Sequence, residues 1–239
     1  VVSILDSAFE SCKVLDGVVL PKNLKNIEYA AFIYCSELTS IVIPDSCTFL
    51  GGRAFYECFK LSSVQLSNKL TTLQYQTFFY CKSLPFVEIP PNLTSIYDGC
   101  FSGCIKLDNI TLPKTLSFID VYVFRGCSSL SSIVIPFNVS IISDYSFSQC
   151  TSLTSIEIEK GCREIRRRAF EESNSFTSIV IPDGVVRLNE RCFRLCTSLV
   201  NVSLPEGVEI FENGVFMDNP SLLSLCIPNS TTKIGSEFC

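Results

Sequence analysis

The sequence contains no histidine and no tryptophan. Without histidine, the Ser-His and Cys-His pairs that activate catalytic nucleophiles cannot form. The GxSxG, HExxH, P-loop and GxGxxG motifs are also missing. The lack of tryptophan argues against a carbohydrate-binding array, which would need exposed rings on which sugars can stack. We therefore expect neither an enzyme nor a cofactor site.

Long apolar runs and excess positive charge are lacking as well. No stretch approaches the ~18 consecutive apolar residues needed to span a bilayer, and the net charge of −5 gives no general footprint for nucleic acid. The sequence also shows no linker or low-complexity run, so we expect one domain over residues 1–239. Its first and last repeats are incomplete and lack polar caps, as expected for a piece of a longer protein.

Phenylalanine recurs with a fixed spacing along the whole chain. Ten phenylalanines lie 23 residues apart, and an eleventh follows the tenth after 22 residues. They are Phe9, Phe32, Phe55, Phe78, Phe101, Phe124, Phe147, Phe170, Phe193, Phe216 and, at the shorter interval, Phe238. Such a period is typical of repeat architectures. Each position in a repeat is defined by the number of residues after its phenylalanine.

Each repeat contains one short predicted strand. Positions nine and eleven are aliphatic, as in Ile41 and Ile43, and position twelve is usually proline. The alternation predicts a half-buried strand, which the proline ends because it has no N–H to donate. Strands stacked about 4.8 Å apart would bury these faces together. The sequence therefore predicts a parallel-stranded solenoid of about ten repeats, roughly 50 Å long and filled by a phenylalanine ladder.

These repeats resemble a known family. Leu38 to Pro44 reads LTSIVIP and Arg53 to Cys58 reads RAFYEC, a combination similar to the 23-residue BspA-like leucine-rich repeat. The resemblance implies a mainly β solenoid with short turns or 3-10 segments and with parallel strands on a concave face. Ser67 and Glu159 stand where other repeats have the proline, and we expect them to leave the fold unchanged.

Cysteine occupies position three in eight repeats, with Ser173 and Asn219 as replacements. Metal binding is disfavoured, because a straight ladder does not converge four thiolates on one ion. Disulfides between neighbours are disfavoured, since stacked Cβ atoms would lie about 4.8 Å apart. We favour buried free thiols whose polar atom contacts the turn backbone. Outside this position, Cys226 and Cys239 are expected to be the most exposed cysteines.

Two surfaces are candidates for binding a protein. On the predicted concave face, position eight is mainly serine and position ten points outward. The position-ten candidates are Val42, Gln65, Glu88, Thr111, Val134, Glu157, Val180 and Ser203. Alternatively, these are simply good strand residues. The second candidate is an aromatic edge formed by Tyr34, Tyr56, Phe79 and Tyr80, whose rings either face a partner or pack on each other.

Charged and modifiable residues give weaker signals. Arginines cluster between Arg163 and Arg194, either as an anion site or, as we favour, as ion pairs with nearby glutamates. Five Asn-x-Ser/Thr sequons occur, at Asn92, Asn109, Asn138, Asn201 and Asn229. A glycan at Asn109 or Asn201 would obstruct the concave face.

The sequence thus favours a non-catalytic protein-binding solenoid. The family resemblance implies a cell-surface or secreted adhesion module that recognises host-cell or extracellular-matrix proteins. The alternative is an intracellular scaffold or spacer protein in the cytoplasm, which the abundant cysteines favour because free thiols persist in reducing compartments.

Overall fold

The chain folds into a stack of similar turns joined by parallel strands. The computed structural model describes residues 2–239. Each strand pairs with one 23 positions away, as Ser3 does with Asn26 and Ser132 with Ser155. Within residues 2–239 the connections are turns, with no α-helix or 3-10 helix. The predicted parallel-stranded solenoid is therefore confirmed.

The strands form two rows. A narrow row of two-residue strands uses positions seventeen and eighteen: β1 (Ser3–Ile4), β2 (Asn26–Ile27), β4 (Phe49–Leu50), β6 (Thr72–Leu73), β7 (Ser95–Ile96), β8 (Phe118–Ile119), β10 (Ile141–Ile142), β12 (Glu164–Ile165), β14 (Arg187–Leu188), β16 (Ile210–Phe211) and β17 (Lys233–Ile234). A broad row lies at positions eight to eleven: β3 (Ser40–Val42), β5 (Ser63–Gln65), β9 (Ser132–Ile135), β11 (Ser155–Ile158), β13 (Ser178–Val180) and β15 (Asn201–Ser203). Only the broad row was predicted as a strand.

Both rows are interrupted along the stack. The narrow row pairs as β1-β2-β4, β6-β7-β8 and β10-β12-β14-β16-β17, and the broad row as β3-β5, β9-β11 and β13-β15. Single bridges such as Phe86–Asn109 extend the broad row. One interruption has a clear cause. Pro85 occupies position seven, where Thr39 and Ser62 donate their N–H to the preceding turn, and proline has no N–H to give.

A ladder of stacked phenylalanines fills the core. From Phe32 to Phe216 each ring is fully buried, and neighbouring centroids lie 5.3–5.7 Å apart with nearly parallel planes. Phe238 differs, because its 22-residue spacing brings it one position early. It meets Phe216 edge-on, at an interplanar angle of 83°. A phenylalanine therefore stacks face to face in the ladder only where it keeps the 23-residue spacing.

A second ladder is made by the cysteines of position three. Each thiol from Cys35 to Cys150 donates to the carbonyl of the phenylalanine 26 residues earlier, at 3.1–3.2 Å. Ser173 and Asn219 make the same bond through Oγ and Nδ2, both at 2.8 Å. All fourteen cysteines are free, and of these only Cys226 and Cys239 are exposed. The prediction of buried free thiols in contact with the turn backbone is therefore confirmed.

Two backbone positions in each turn adopt positive φ, two residues before and two residues after the ladder phenylalanine. Around Phe55 they are Arg53 (φ 57°) and Glu57 (φ 55°), and around Phe101 they are Gly99 (φ 58°) and Gly103 (φ 73°). Most are not glycine, although this region costs other residues on the order of 1–3 kcal/mol each. The repeated hydrogen bonds between turns hold them there.

Candidate functional site

The broad row presents the predicted binding residues to solvent. Ile41, Ile133 and Ile179 at position nine are buried, while the residues at positions eight and ten are exposed. The position-ten side chains Val42, Gln65, Glu88, Thr111, Val134, Glu157, Val180 and Ser203 all lie on this surface. We call this surface, formed by positions eight and ten of the broad row, the strand face. Its exposure follows the predicted alternation.

Three shallow clefts run in sequence along the strand face. The first has a volume of about 180 Å³ and extends from Asn109 to Glu157. The second, of about 320 Å³, lies between Thr154 and Pro182. The largest, of about 570 Å³, reaches from Phe137 to Pro205. Glu157 lines all three, so the clefts adjoin one another in the second half of the chain.

The largest cleft has an apolar wall that sequence reasoning missed. Phe137 is 62% exposed and Val180 is 67% exposed, and both line it. The carboxylate of Glu159 accepts a hydrogen bond from the Phe137 backbone N–H at 2.6 Å. Glu159 stands where other repeats have proline, so the irregular residue holds the loop that carries the ring. A signal was available, since Phe137 is the only aromatic or aliphatic residue at position thirteen.

The aromatic edge is both packed and partly exposed. The rings of Tyr56 and Phe79 stack with centroids 4.7 Å apart, and Tyr34 meets Tyr56 edge-on at 5.7 Å. Tyr34 and Tyr80 remain 38% and 40% exposed. The Lys82 ammonium lies 5.3 Å from the centroid of Tyr80. The rings therefore interact mainly with one another along the edge, and the solvent-facing part is limited.

The arginine cluster forms ion pairs, as favoured from the sequence. Arg194 contacts both the buried carboxylate of Glu171, at 3.1 Å, and Asp218, at 3.0 Å. Arg167 lies 3.7 Å from Asp144, and Arg187 and Glu212 are 3.3 Å apart. Such neutralised pairs leave little positive charge for an anion.

Two further findings concern metal and membrane. Within residues 2–239, cysteine and carboxylate side chains nowhere gather in a group of three or more that could hold a metal ion. The same residues include no helix of the length and apolarity needed to cross a membrane. The five sequon asparagines, from Asn92 to Asn229, are exposed.

Comparison with known proteins identifies the repeat. A family model for the BspA type leucine rich repeat region (6 copies) matches residues 2–131 and 117–238. The chain belongs to the BspA-type leucine-rich repeat family. Leucine-rich repeats of this family are generally protein-interaction modules and generally non-enzymatic.

Solved structures agree with this BspA-type assignment. A leucine-rich repeat protein from Bacteroides ovatus is 29% identical, with a TM-score of 0.61, over 92% of this chain and 68% of that one. The T. pallidum leucine rich repeat protein is 24% identical (TM-score 0.64; 82% of each chain). A leucine rich cell surface protein from Faecalibacterium prausnitzii is 21% identical (TM-score 0.56; 99% and 76%). The last two show the fold alone. No curated protein sequence matches the chain.

Proposed function

We propose that this BspA-type chain is a non-catalytic adhesion module that binds a protein through its strand face. The observation that carries the proposal is the strand face itself. It repeats over the stack as small or aliphatic exposed side chains, interrupted by few charges. A shallow, extended surface of this kind suits a protein surface better than a small ligand, which needs an enclosing pocket.

A location at the cell surface or outside the cell is part of the proposal. Its support is that one protein of the same fold, from Faecalibacterium prausnitzii, is described as a cell surface protein. The exposed sequons Asn109 and Asn201 lie on the strand face, at position eight. If the chain is made in a glycosylating secretory pathway, a glycan on either asparagine would support this location while restricting the face.

Binding to intact cells and to immobilised matrix proteins tests the proposal. The chain is compared with a double variant, Val134→Glu with Val180→Glu, whose sites are 48% and 67% exposed. Because both side chains point to solvent, the fold should be unchanged by circular dichroism. Binding by the parent that is lost in the double variant supports the proposal. Equal binding by both, or none by the parent, contradicts it.

The alternative is an intracellular scaffold or spacer, favoured by the fourteen free cysteines. The aromatic edge, with Tyr34, Tyr56, Phe79 and Tyr80, would be its second contact surface. Mass spectrometry of the chain from its native source separates the two functions. Glycosylated sequons would favour the surface module, whereas unglycosylated sequons with every thiol reduced would favour the scaffold.

A further inference from the structure

Phe137 departs from the pattern of its position. The other nine residues at position thirteen are Lys22, Asp45, Asn68, Pro91, Lys114, Lys160, Asp183, Glu206 and Asn229, of which eight are polar and one is proline. A polar residue is expected here, because the position lies on an exposed turn after the broad row. A phenylalanine that is 62% exposed gains little from burial in the chain itself. Its ring therefore needs another explanation.

Neighbouring residues hold the Phe137 loop in place. In two other turns, the position-thirteen residue donates its N–H to the acid at position thirteen of the turn before: Asn68 donates to Asp45, and Asn229 donates to Glu206. The Phe137 N–H is instead accepted by Glu159 of the following turn. Gly161 allows this turn to approach, since a Cβ there would lie 1.5 Å from the Phe137 carbonyl oxygen. The loop is thus held by two residues of the following turn, of which Glu159 is the only glutamate at position twelve.

The held ring forms one wall of the largest cleft. Val180 and Pro205 line the cleft with Phe137, and its open volume of about 570 Å³ leaves room for one large side chain. The cleft is open toward the strand face, which continues through two smaller clefts to Asn109. An extended peptide chain could therefore lie along the face with one large side chain inserted beside the Phe137 ring.

The charges around the cleft select a basic partner. Its lining includes three carboxylates, Glu157, Glu159 and Asp183, against one ammonium, Lys160, for a net charge of −2. Lys160 pairs with Asp183 at 3.0 Å. Within residues 2–239, Glu157 has no ion pair, and it lies where all three clefts meet. A lysine or arginine near the inserted side chain would find its counter-charge there.

We infer that this cleft binds an extended peptide segment of a protein partner, with an aromatic or large aliphatic side chain against Phe137 and a basic residue against Glu157. The inference rests on the proposed function, because the cleft is part of the strand face. It adds the chemical character of the bound peptide and the residues of this chain that would recognise that peptide.

A random linear dodecapeptide library displayed on phage provides the probe. It is panned on the immobilised chain after subtraction on the variant Phe137→Asn, in which asparagine is the residue already found at Asn68 and Asn229. Selected sequences should combine an aromatic or large aliphatic residue with lysine or arginine. Fluorescence anisotropy should then show at least roughly tenfold weaker binding of the consensus peptide to Phe137→Asn.

Three matched variants complete the test. Val180→Ser, which copies Ser203 of the same position, should also weaken binding and replaces Phe137→Asn if that variant misfolds. Glu157→Gln should weaken binding and reduce its dependence on salt. Val14→Ser, at an exposed valine outside the strand face, should bind as the parent does. No enrichment, an acidic consensus, or equal binding by Phe137→Asn and Val180→Ser would overturn the inference.

The adhesion experiment separates this inference from the proposed function. If Phe137→Asn binds cells or matrix as the parent does while the Val134→Glu, Val180→Glu variant does not, adhesion stands and the cleft inference fails. If the parent binds no cell or matrix protein but binds the basic consensus peptide in a Phe137-dependent way, adhesion fails and the cleft inference stands.

Discussion

The buried thiols should make this solenoid unfold in mild alkali. Eleven cysteines are buried, and eight of them with no exposed surface are considered first: Cys58, Cys81, Cys100, Cys104, Cys127, Cys150, Cys192 and Cys196. Burial raises the pKa of Cys104 and of Cys150 from 9.0 to about 12, because a thiolate there would lose its hydration. Burial raises the pKa of the other six thiols as well. The folded chain must therefore keep these protons.

The consequence for stability follows from proton linkage. Above pH 9 the unfolded chain loses thiol protons that the folded chain retains, so the free energy of unfolding falls as pH rises. Each thiol removes about 1.4 kcal/mol per pH unit between its unfolded and its folded pKa. Eight together remove roughly 11 kcal/mol per pH unit. Because a domain is typically stable by about 5–15 kcal/mol, we expect cooperative unfolding near pH 10.

The assay follows thiolate absorbance near 240 nm together with circular dichroism, under reductant and without oxygen. The two signals should change in one transition, since the buried thiols ionise only when the chain opens. A matched variant replaces Cys81, Cys104, Cys127 and Cys150 by serine, which Ser173 shows can make the same hydrogen bond. Its transition should lie at higher pH and be less steep.

Two results would refute this reasoning. One is thiolate absorbance that rises near pH 9 while circular dichroism stays native, which would mean that the thiols are accessible in the folded chain. The other is an identical alkaline transition in the four-serine variant. In that case lysine or tyrosine ionisation, rather than the cysteine ladder, would set the alkaline limit.

Three further predictions concern the core and the ion pairs, each measured by denaturant unfolding. Phe124→Ala should cost about 3–5 kcal/mol and Phe124→Leu less than about 1.5 kcal/mol, because only the first leaves a large cavity in the ladder; equal costs would contradict ladder packing. Gly103→Ala should cost about 1–3 kcal/mol, since φ is +73° and the new Cβ would lie 2.8 Å from the Tyr80 ring; a neutral result would contradict that geometry. Glu171→Gln should cost about 1–3 kcal/mol, because the buried carboxylate accepts from Arg194 at 3.1 Å; unchanged stability would show that Asp218 alone satisfies the guanidinium.

The sequence predicted those features in which every repeat uses the same residue type. Phenylalanine at the ladder and cysteine at position three recur often enough to show both their period and their buried environment. Ser173 and Asn219 even indicated the hydrogen bond, because both keep a small polar group at that position. One repeat alone would be a weak signal for the fold, but ten repeats in the same register predict it strongly.

Other features repeat in the backbone but not in the side chains. The narrow row was missed because a two-residue strand such as β2 is too short to show an alternating pattern. The positive φ values were missed because their positions hold residues as different as Arg53, Tyr122 and Gly99. There the hydrogen bonds from neighbouring turns fix the conformation, so the residue type carries almost no information about it.

At the candidate site, in contrast, the informative residues are those that depart from the repeat. A solenoid requires similar residues at equivalent positions in order to stack, so a departure that the stack does not need is free to serve another purpose. Glu159 looked like a harmless loss of proline, and for the fold it is, since its carbonyl still closes the turn by accepting from Cys162 N–H. Its side chain, however, holds the loop that exposes Phe137. Phe137 and Glu159 are two linked departures in adjacent turns, and this linkage is the reason that we infer the peptide site there and not elsewhere along the stack.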